Sequence, residues 1–245
     1  MKLVTIITGA GSGIGRASAI ELARQGHRLV LAGRRIEALE ETAQLLEGDC
    51  ITQVCDVTQE DQVAALFAQA AAHFGRVDVL FNNAGAFGGG PIDQIPLSKW
   101  REMIDVNLTG YFLCAREAFR HMKAQAPQGG RIINNGSVSA HVPRPNSAPY
   151  SAAKHGVTGL TRSLALDGRA HNIACGQIDI GNAATPLSSG FDVGMPQADG
   201  SIKPEPTFDV AAAARAVGYM ASLPLDTNVL FLNVMASGMP FVGRG

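Results

Sequence analysis

Tyr150 and Lys154 stand four residues apart in the stretch APYSAAKHG, with only serine and alanine between them. On a helix, residues i and i+4 share a face, so a weak acid and a cation would point the same way. A phenol ordinarily ionises near pH 10 and is a poor base at neutrality. A nearby ammonium stabilises the phenolate, and lowering the phenol by about 2–3 units takes roughly 3–4 kcal/mol. Such a pair could pass a proton to or from a substrate oxygen. A surface helix also produces Tyr-x-x-x-Lys by chance, so the elements around the pair have to decide.

A second constellation is TGAGSGIG, Thr8–Gly15, directly after an apolar strand-like run and at the start of a helical pattern. Glycines let the backbone turn tightly and approach a pyrophosphate, and the helix N-terminus then offers N–H groups and a positive dipole end. The strand–glycine–helix order is the context this motif requires. At the end of the next strand the sequence reads Leu31-Ala32-Gly33-Arg34-Arg35. The acidic residue that would accept from an NAD ribose hydroxyl is missing there. Arginine suits a 2′-phosphate through charge-assisted, often bidentate bonds. NADP(H) is therefore favoured and NAD(H) stays possible, unless both guanidiniums are simply solvated charges at a helix start. Asp56, in VCDVT, could meet an adenine amino group or cap the following helix, a role Thr58 could also serve.

Strand-like runs Leu3–Thr8, Arg28–Ala32, Ile51–Cys55, Val77–Asn82, Arg131–Asn135, Asn172–Ile178 and Asn228–Val234 alternate with helical patterns. The helical patterns cover Ile14–Gln25, Ile36–Leu46, Gln59–His73, Ser98–Lys123, Pro149–Arg169 and Val210–Ser222. This alternation predicts an α/β fold, a mostly parallel sheet with helices on both faces. One domain over residues 1–245 is expected, with residues 181–206, rich in Gly, Pro and Ser, as a lid over the substrate rather than a disordered loop. The lid residues Leu187, Phe191, Val193 and Met195 suggest an apolar or mixed pocket, within reach of Lys203 or Arg144.

Of the 245 residues, 46% are hydrophobic and 17% charged, and the net charge is −1. A large core is possible, and neither a basic face for nucleic acid nor a charged tail is present. Cys50, Cys55, Cys114 and Cys175 form no Cys-x-x-Cys pair, so reduced thiols are expected and no metal. No apolar run reaches the roughly 20 residues of a membrane span, and the N-terminal run is too short for a secretory leader. These features predict a cytoplasmic protein with a small-molecule substrate and neither a nucleic-acid nor a membrane partner.

Together these residues resemble the short-chain dehydrogenase/reductase family in its single-domain form, from Leu3 to about Val234. TGAGSGIG is similar to its cofactor motif. Asn82-Asn83-Ala84-Gly85 is similar to its NNAG segment. Asn107, in DVNLTG, stands where the family carries a catalytic asparagine. Ser137 lies thirteen residues before Tyr150, the family's serine offset, whereas Ser139 lies eleven before it. The resemblance implies a Rossmann-type, doubly wound sheet of mostly seven parallel strands. It also implies carbonyl–alcohol interconversion by hydride transfer from NADP(H) or NAD(H). The implied catalytic residues are Asn107, holding a water that relays protons, Ser137, donating to the substrate oxygen, Tyr150 as general acid/base, and Lys154. The implied cofactor residues are Gly9, Gly11, Ser12, Gly13, Ile14, Gly15, Arg34, Arg35, Asp56, Val57, Asn83, Ala84, Gly85, Tyr150, Lys154, Ala183 and Thr185. The family pairs its long helices across two-fold axes, so a homotetramer, or a homodimer, is expected from the apolar residues of Leu108–Lys123 and Tyr150–Arg169.

Two departures stand out. Ile180 occupies the place of a proline that the family often shows before Gly181, which leaves the local loop path open. The C-terminal patch Met239-Pro240-Phe241-Val242 could dock on a neighbouring subunit or fray. His141 is either a solvated loop residue or a substrate contact. His155 is expected to face away from the site, His73 and His121 to lie on the surface, and Trp100 and Phe112 to pack. Two rival readings remain: a non-catalytic dinucleotide sensor or scaffold of the same fold, which would not need the full Ser-Tyr-Lys set, and a sugar-nucleotide epimerase or dehydratase, which would be longer.

Overall fold

The computed structural model describes residues 2–241. In chain order the main elements are β1 (Val4–Thr8), α1 (Gly13–Arg24), β2 (Arg28–Gly33), α2 (Ile36–Gln44), β3 (Cys50–Val54), α3 (Glu60–Phe74) and β4 (Val79–Asn82). Then come α4 (Leu97–Ile104), α5 (Gly110–Ala124), β5 (Gly130–Asn135), α6 (Ala148–Asp167) and β6 (Ile173–Gly181). The short strands β7 (Met195–Pro196) and β8 (Ile202–Lys203) precede α7 (Val210–Ser222) and β9 (Phe231–Met235).

Seven strands form one parallel sheet in the order β3-β2-β1-β4-β5-β6-β9. Successive side chains on a strand point to opposite faces, and a sheet covered on both faces needs apolar residues at every position. Ile6, Val30, Leu80 and Ile132 meet Leu66, Phe67 and Met122 of α3 and α5. Their sequence neighbours Ile7, Leu31, Phe81 and Ile133 meet Leu22, Val217 and Met220 of α1 and α7 on the other side. The strand order reverses direction between β1 and β4, which opens a crevice beyond the strand C-termini where ligands bind in such sheets.

Several details differ from the sequence reading. The stretch expected as one helix over Ser98–Lys123 is α4, a single π-helical turn at Asp105–Thr109, and α5. The wider turn carries Asn107, whose side chain is buried and bonded to backbone. β6 extends to Gly181 because Ile180, unlike proline, keeps its N–H and can continue in the sheet; it pairs with Val234, and Gly181 with Met235. The segment expected as a lid carries local structure that its composition did not announce, a 3-10 turn at Pro186–Ser188 followed by the antiparallel pair β7 and β8. Within the C-terminal patch, Met239 is buried against Val138 and Ala236 of its own chain, with Phe241 beside them. Val242 lies outside the described residues. Trp100 and Phe112 are exposed on α4 and α5 rather than packed within the chain. The four cysteines are free, and all but Cys50 are buried.

Candidate active site

The phosphate end is built by backbone. Gly9 and Gly13 take positive φ of 67° and 52°, a region in which a side chain is strained. A Cβ on Gly15 would lie 2.2 Å from the carbonyl oxygen of Gly9. Arg16, which sequence reasoning passed over, ties the turn to α2: its guanidinium donates to Gly11 O at 2.7 Å, Thr42 Oγ1 at 3.0 Å and Glu41 at 2.9 Å. A hollow beside the turn is bordered by Gly9, Gly11 and Ser12 on one side and by Gly33, Arg34 and Arg35 on the other. Both arginines are exposed at its rim.

A second cavity of about 240 Å³ continues from Gly13, Ile14 and Gly15 past Asn83, Ala84 and Gly85 to Asn107, Tyr150, Lys154 and Thr185. Asparagines build its floor. Thr8 Oγ1 accepts the N–H groups of Asn83 and Ala84 at 2.8 and 2.9 Å. Asn83 Nδ2 donates to Thr8 O at 2.8 Å, and Asn135 Nδ2 to Asn83 Oδ1 at 2.9 Å. Asn107 accepts from Ala86 N and donates to Ala86 O, so its amide clamps the loop after β4. Asp56 and Val57 border neither cavity. Asp56 Oδ1 accepts from the N–H and hydroxyl of Thr58, closing the turn before α3, and Val57 is buried against Gly110.

The third space adjoins this one and is bordered by Ser137, Ser139, Tyr150, Arg144, Leu187 and Phe191 among others. Ser137 and Tyr150 border it together, and the N–H of Ser139 donates to Ser137 Oγ at 3.1 Å. Helix α6 starts at Ala148 with Pro149 in its first turn, which costs no hydrogen bond there. It carries Tyr150 and Lys154 on one face, as their spacing requires. Phe87 stands edge-on to Tyr150, 5.2 Å between centroids. Ala183 and Thr185 border this space as well, Ala183 bridging to Phe208 and Thr185 starting the 3-10 turn.

Lys154 is buried, and its ammonium donates to Asn135 O at 2.7 Å and to Tyr111 Oη at 3.1 Å. Sequence reasoning did not single out Tyr111; its only signal was a large polar aromatic on the buried face of a helix one turn past Asn107. His141 is exposed on its loop, and its Nε2 lies 2.8 Å from Asp179 Oδ2. Asp179 is fully buried and its other oxygen accepts from Ser137 N and Gln177 Nε2. His155 is exposed and bonds Ser151 O. His73 is exposed, and His121 is partly buried against Phe67. Val193 is 82% exposed and leaves the pocket to Leu187 and Phe191, while Lys203 pairs with Asp199 in the outer hairpin.

A family model described as short chain dehydrogenase matches residues 3–193. Cis-4-hydroxycyclohexanecarboxylate dehydrogenase of Sinomonas cyclohexanicum is 42% identical over 192 residues, 77% of this chain and 76% of that protein. Among solved structures, an actinorhodin polyketide ketoreductase variant with NADPH superposes with a TM-score of 0.84 at 28% identity, covering 96% of both chains. A 3-ketoacyl-(acyl-carrier-protein) reductase of Brucella melitensis with NADH gives 0.85 at 26% identity, covering 99% of this chain and 98% of the other. The chain belongs to the short-chain dehydrogenase/reductase family. It is an oxidoreductase of hydroxyl and carbonyl groups.

The cleft of this dehydrogenase fits a nicotinamide dinucleotide on its own geometry. The turn is stripped of Cβ atoms where a phosphate would lie, arginines rim the adenosine end, and Asn135 brings to the middle a buried side-chain oxygen with no partner among the described residues. Burial raises the Tyr150 phenol above its ordinary value; the neighbouring Ser137 hydroxyl lowers it, Asp179 raises it and Arg144 lowers it. Burial pushes the Lys154 ammonium down to about 7, with Asp179 opposing. Its bonds to Asn135 and Tyr111 show where the ammonium is spent. A phenol held protonated is the form that a general acid needs at neutral pH.

Proposed function

We propose that this enzyme is an NADP(H)-dependent carbonyl reductase and alcohol dehydrogenase, with Tyr150 as its general acid/base. The observation that carries the reading is the convergence of Ser137 and Tyr150, with Lys154 one helical turn on, where the glycine-turn cavity meets the substrate cavity. When bound, the nicotinamide supplies or accepts the hydride. The glycine turn and the first turn of α1 hold the pyrophosphate, Arg34 and Arg35 grip the 2′-phosphate, and Lys154 holds the nicotinamide ribose. Asn83, Ala84, Gly85, Ala183 and Thr185 line the nicotinamide end. Asn107 keeps the loop after β4 in place and thereby the cavity wall. Ser137 donates a hydrogen bond to the carbonyl oxygen, stabilising the charge that develops there. Tyr150 delivers the proton in reduction and takes it back in oxidation.

The ring alcohol named in the Sinomonas relative supports a secondary alcohol or ketone on a compact ring as substrate. The described chain acts as one unit, with residues 181–206 as the lid. Exposed Trp100, Phe112 and Leu166 on the outer helices support a homotetramer or homodimer. No helix among the described residues is long and apolar enough to cross a membrane, and the free thiols fit a reducing cytoplasm. The test is Tyr150→Phe. NADPH binding should persist, followed by nicotinamide fluorescence, while ketone-dependent NADPH oxidation is lost. Retained turnover would overturn Tyr150 as the acid. NADPH binding by wild type with no turnover across a broad carbonyl panel would favour a dinucleotide sensor.

A further inference from the structure

Arg144 is a cation in the lining of the substrate cavity, and its charge is answered from behind. Arg144 borders the cavity with 8% of its side chain exposed, and its guanidinium is ion-paired with Glu205, whose side chain is fully buried. The guanidinium also donates to Asn182 Oδ1 at 2.8 Å. Asn182 Nδ2 donates to the same Glu205 oxygen at 2.9 Å, and Gln197 Nε2 donates to the other at 3.0 Å. The Phe191 ring lies 5.0 Å from the guanidinium carbon. The guanidinium thus meets a carboxylate, an amide oxygen and an aromatic ring, and both Glu205 oxygens accept side-chain donors. On the far side of the catalytic loop a second buried carboxylate, Asp179, is held by Ser137, Gln177 and His141. The remaining walls are apolar, Phe87, Ile180, Leu187 and Phe191, or neutral, as at Ser139.

We propose that this cavity takes an uncharged, apolar carbonyl compound or alcohol and rejects its carboxylate-bearing analogues, Glu205 holding Arg144 as a wall of the site and not as an anion receptor. The proposal rests on the carbonyl-reductase reading and extends it to substrate charge. An incoming carboxylate could reach the guanidinium in two ways. It could displace Glu205, which would leave a buried carboxylate without its cation. It could instead share Arg144 with Glu205, which would crowd two anions on one guanidinium. A neutral ligand does neither. It meets aromatic and aliphatic surface beside the Tyr150 hydroxyl and leaves the ion pair intact.

The experiment uses two probes with the same ring and the same reacting carbonyl, 4-oxocyclohexanecarboxylate and 4-oxocyclohexanecarboxamide. Binding of each to the full chain loaded with NADP+ is followed by calorimetry, and reduction by NADPH oxidation. The amide should bind and be reduced, and the acid should be weaker by about tenfold or more, the discrimination expected when an ion pair must be broken. Glu205→Gln should narrow or invert that ratio by about tenfold, because Arg144 then lacks its anion. If that variant does not fold, the wild-type pair of probes still decides. Acid binding as tight as amide, or tighter, overturns the proposal. So does failure of both probes to bind protein that holds NADP+. Failure to bind NADP+ or NADPH at all instead overturns the reductase reading on which the proposal rests.

Discussion

The ammonium nitrogen of Lys154 lies 3.1 Å from the phenolic oxygen of Tyr111, and both groups donate to the carbonyl oxygen of Asn135. Tyr111 is 1% exposed, so this triangle fixes the lysine head from the protein side before any ligand arrives. Tyr111→Phe removes one acceptor from the ammonium and one donor from Asn135. A net hydrogen bond to a charged group contributes about 1.5–3 kcal/mol. We expect kcat to fall by roughly tenfold or more on that scale, while the fold and the NADPH Kd change little. Losing an acceptor also disfavours the protonated lysine, so the midpoint governed by Lys154 in the pH–rate profile moves to lower pH. An unchanged profile would show Tyr111 to be packing alone.

Arg34 and Arg35 rim the hollow beside the glycine turn. Replacing both with serine should weaken NADPH binding by roughly 10–100-fold, the scale of one or two charge-assisted bonds. NADH binding should stay within about threefold, since no group aimed at the unphosphorylated ribose is removed. Fluorescence titration with both nucleotides checks this. Equal loss for both would mean that the arginines act through α2 rather than on the 2′-phosphate.

Gly15→Ala tests the turn itself. The added methyl would meet the Gly9 carbonyl and Asn83 Nδ2, neither of which can move without opening the bonds that join β1 to β4. Overpacking of a tight site typically costs about 1–3 kcal/mol. We expect a Tm lowered by several degrees and loss of binding for NADPH and NADH alike, measured by thermal melting with and without nucleotide.

The Arg144–Glu205 pair also sets an acid limit. Burial raises the Glu205 carboxyl, but the bonds from Asn182 and Gln197, with Arg144, outweigh it and hold the group below its ordinary value. A carboxylate with a depressed folded pKa stabilises the protein above its unfolded pKa, and that stabilisation is lost as pH falls through the folded value. Wild type should therefore lose Tm steeply below about pH 4.5, where the unfolded carboxylate begins to protonate. Glu205→Gln should start lower in Tm at pH 7 and show a shallower fall. Parallel curves for the two proteins would remove Glu205 from the acid transition.

Much of this architecture was readable because it is local. The strands show as short apolar runs, and the glycine turn sits between one of them and a helix. Tyr150 and Lys154 needed only helical spacing. What escaped was set by partners far away in the chain. Nothing near His141 announces Asp179, 38 residues on, and nothing near Arg144 announces Glu205. The π turn at Asp105–Thr109 was hidden because one extra residue barely disturbs an apolar pattern that otherwise continues from α4 into α5. Tyr111 was hidden for a related reason: on a helix face already rich in apolar residues, an aromatic reads as core, and only its hydroxyl's partners reveal otherwise.

The two asparagine pairs that join β4 to β5 have a consequence for folding. Ile132 and Ile133 are both fully buried, so sliding β5 by one residue would exchange one greasy side chain for another with little loss of dry surface. A sheet apolar on both sides has little internal gauge of alignment. The same slip would pull Asn134 away from Asn82 and Asn135 away from Asn83, now bonded at 3.2 and 2.9 Å. The polar rungs at the strand ends thus act as the sheet's vernier, and the chain cannot line up its strands correctly without assembling the floor of its own cleft.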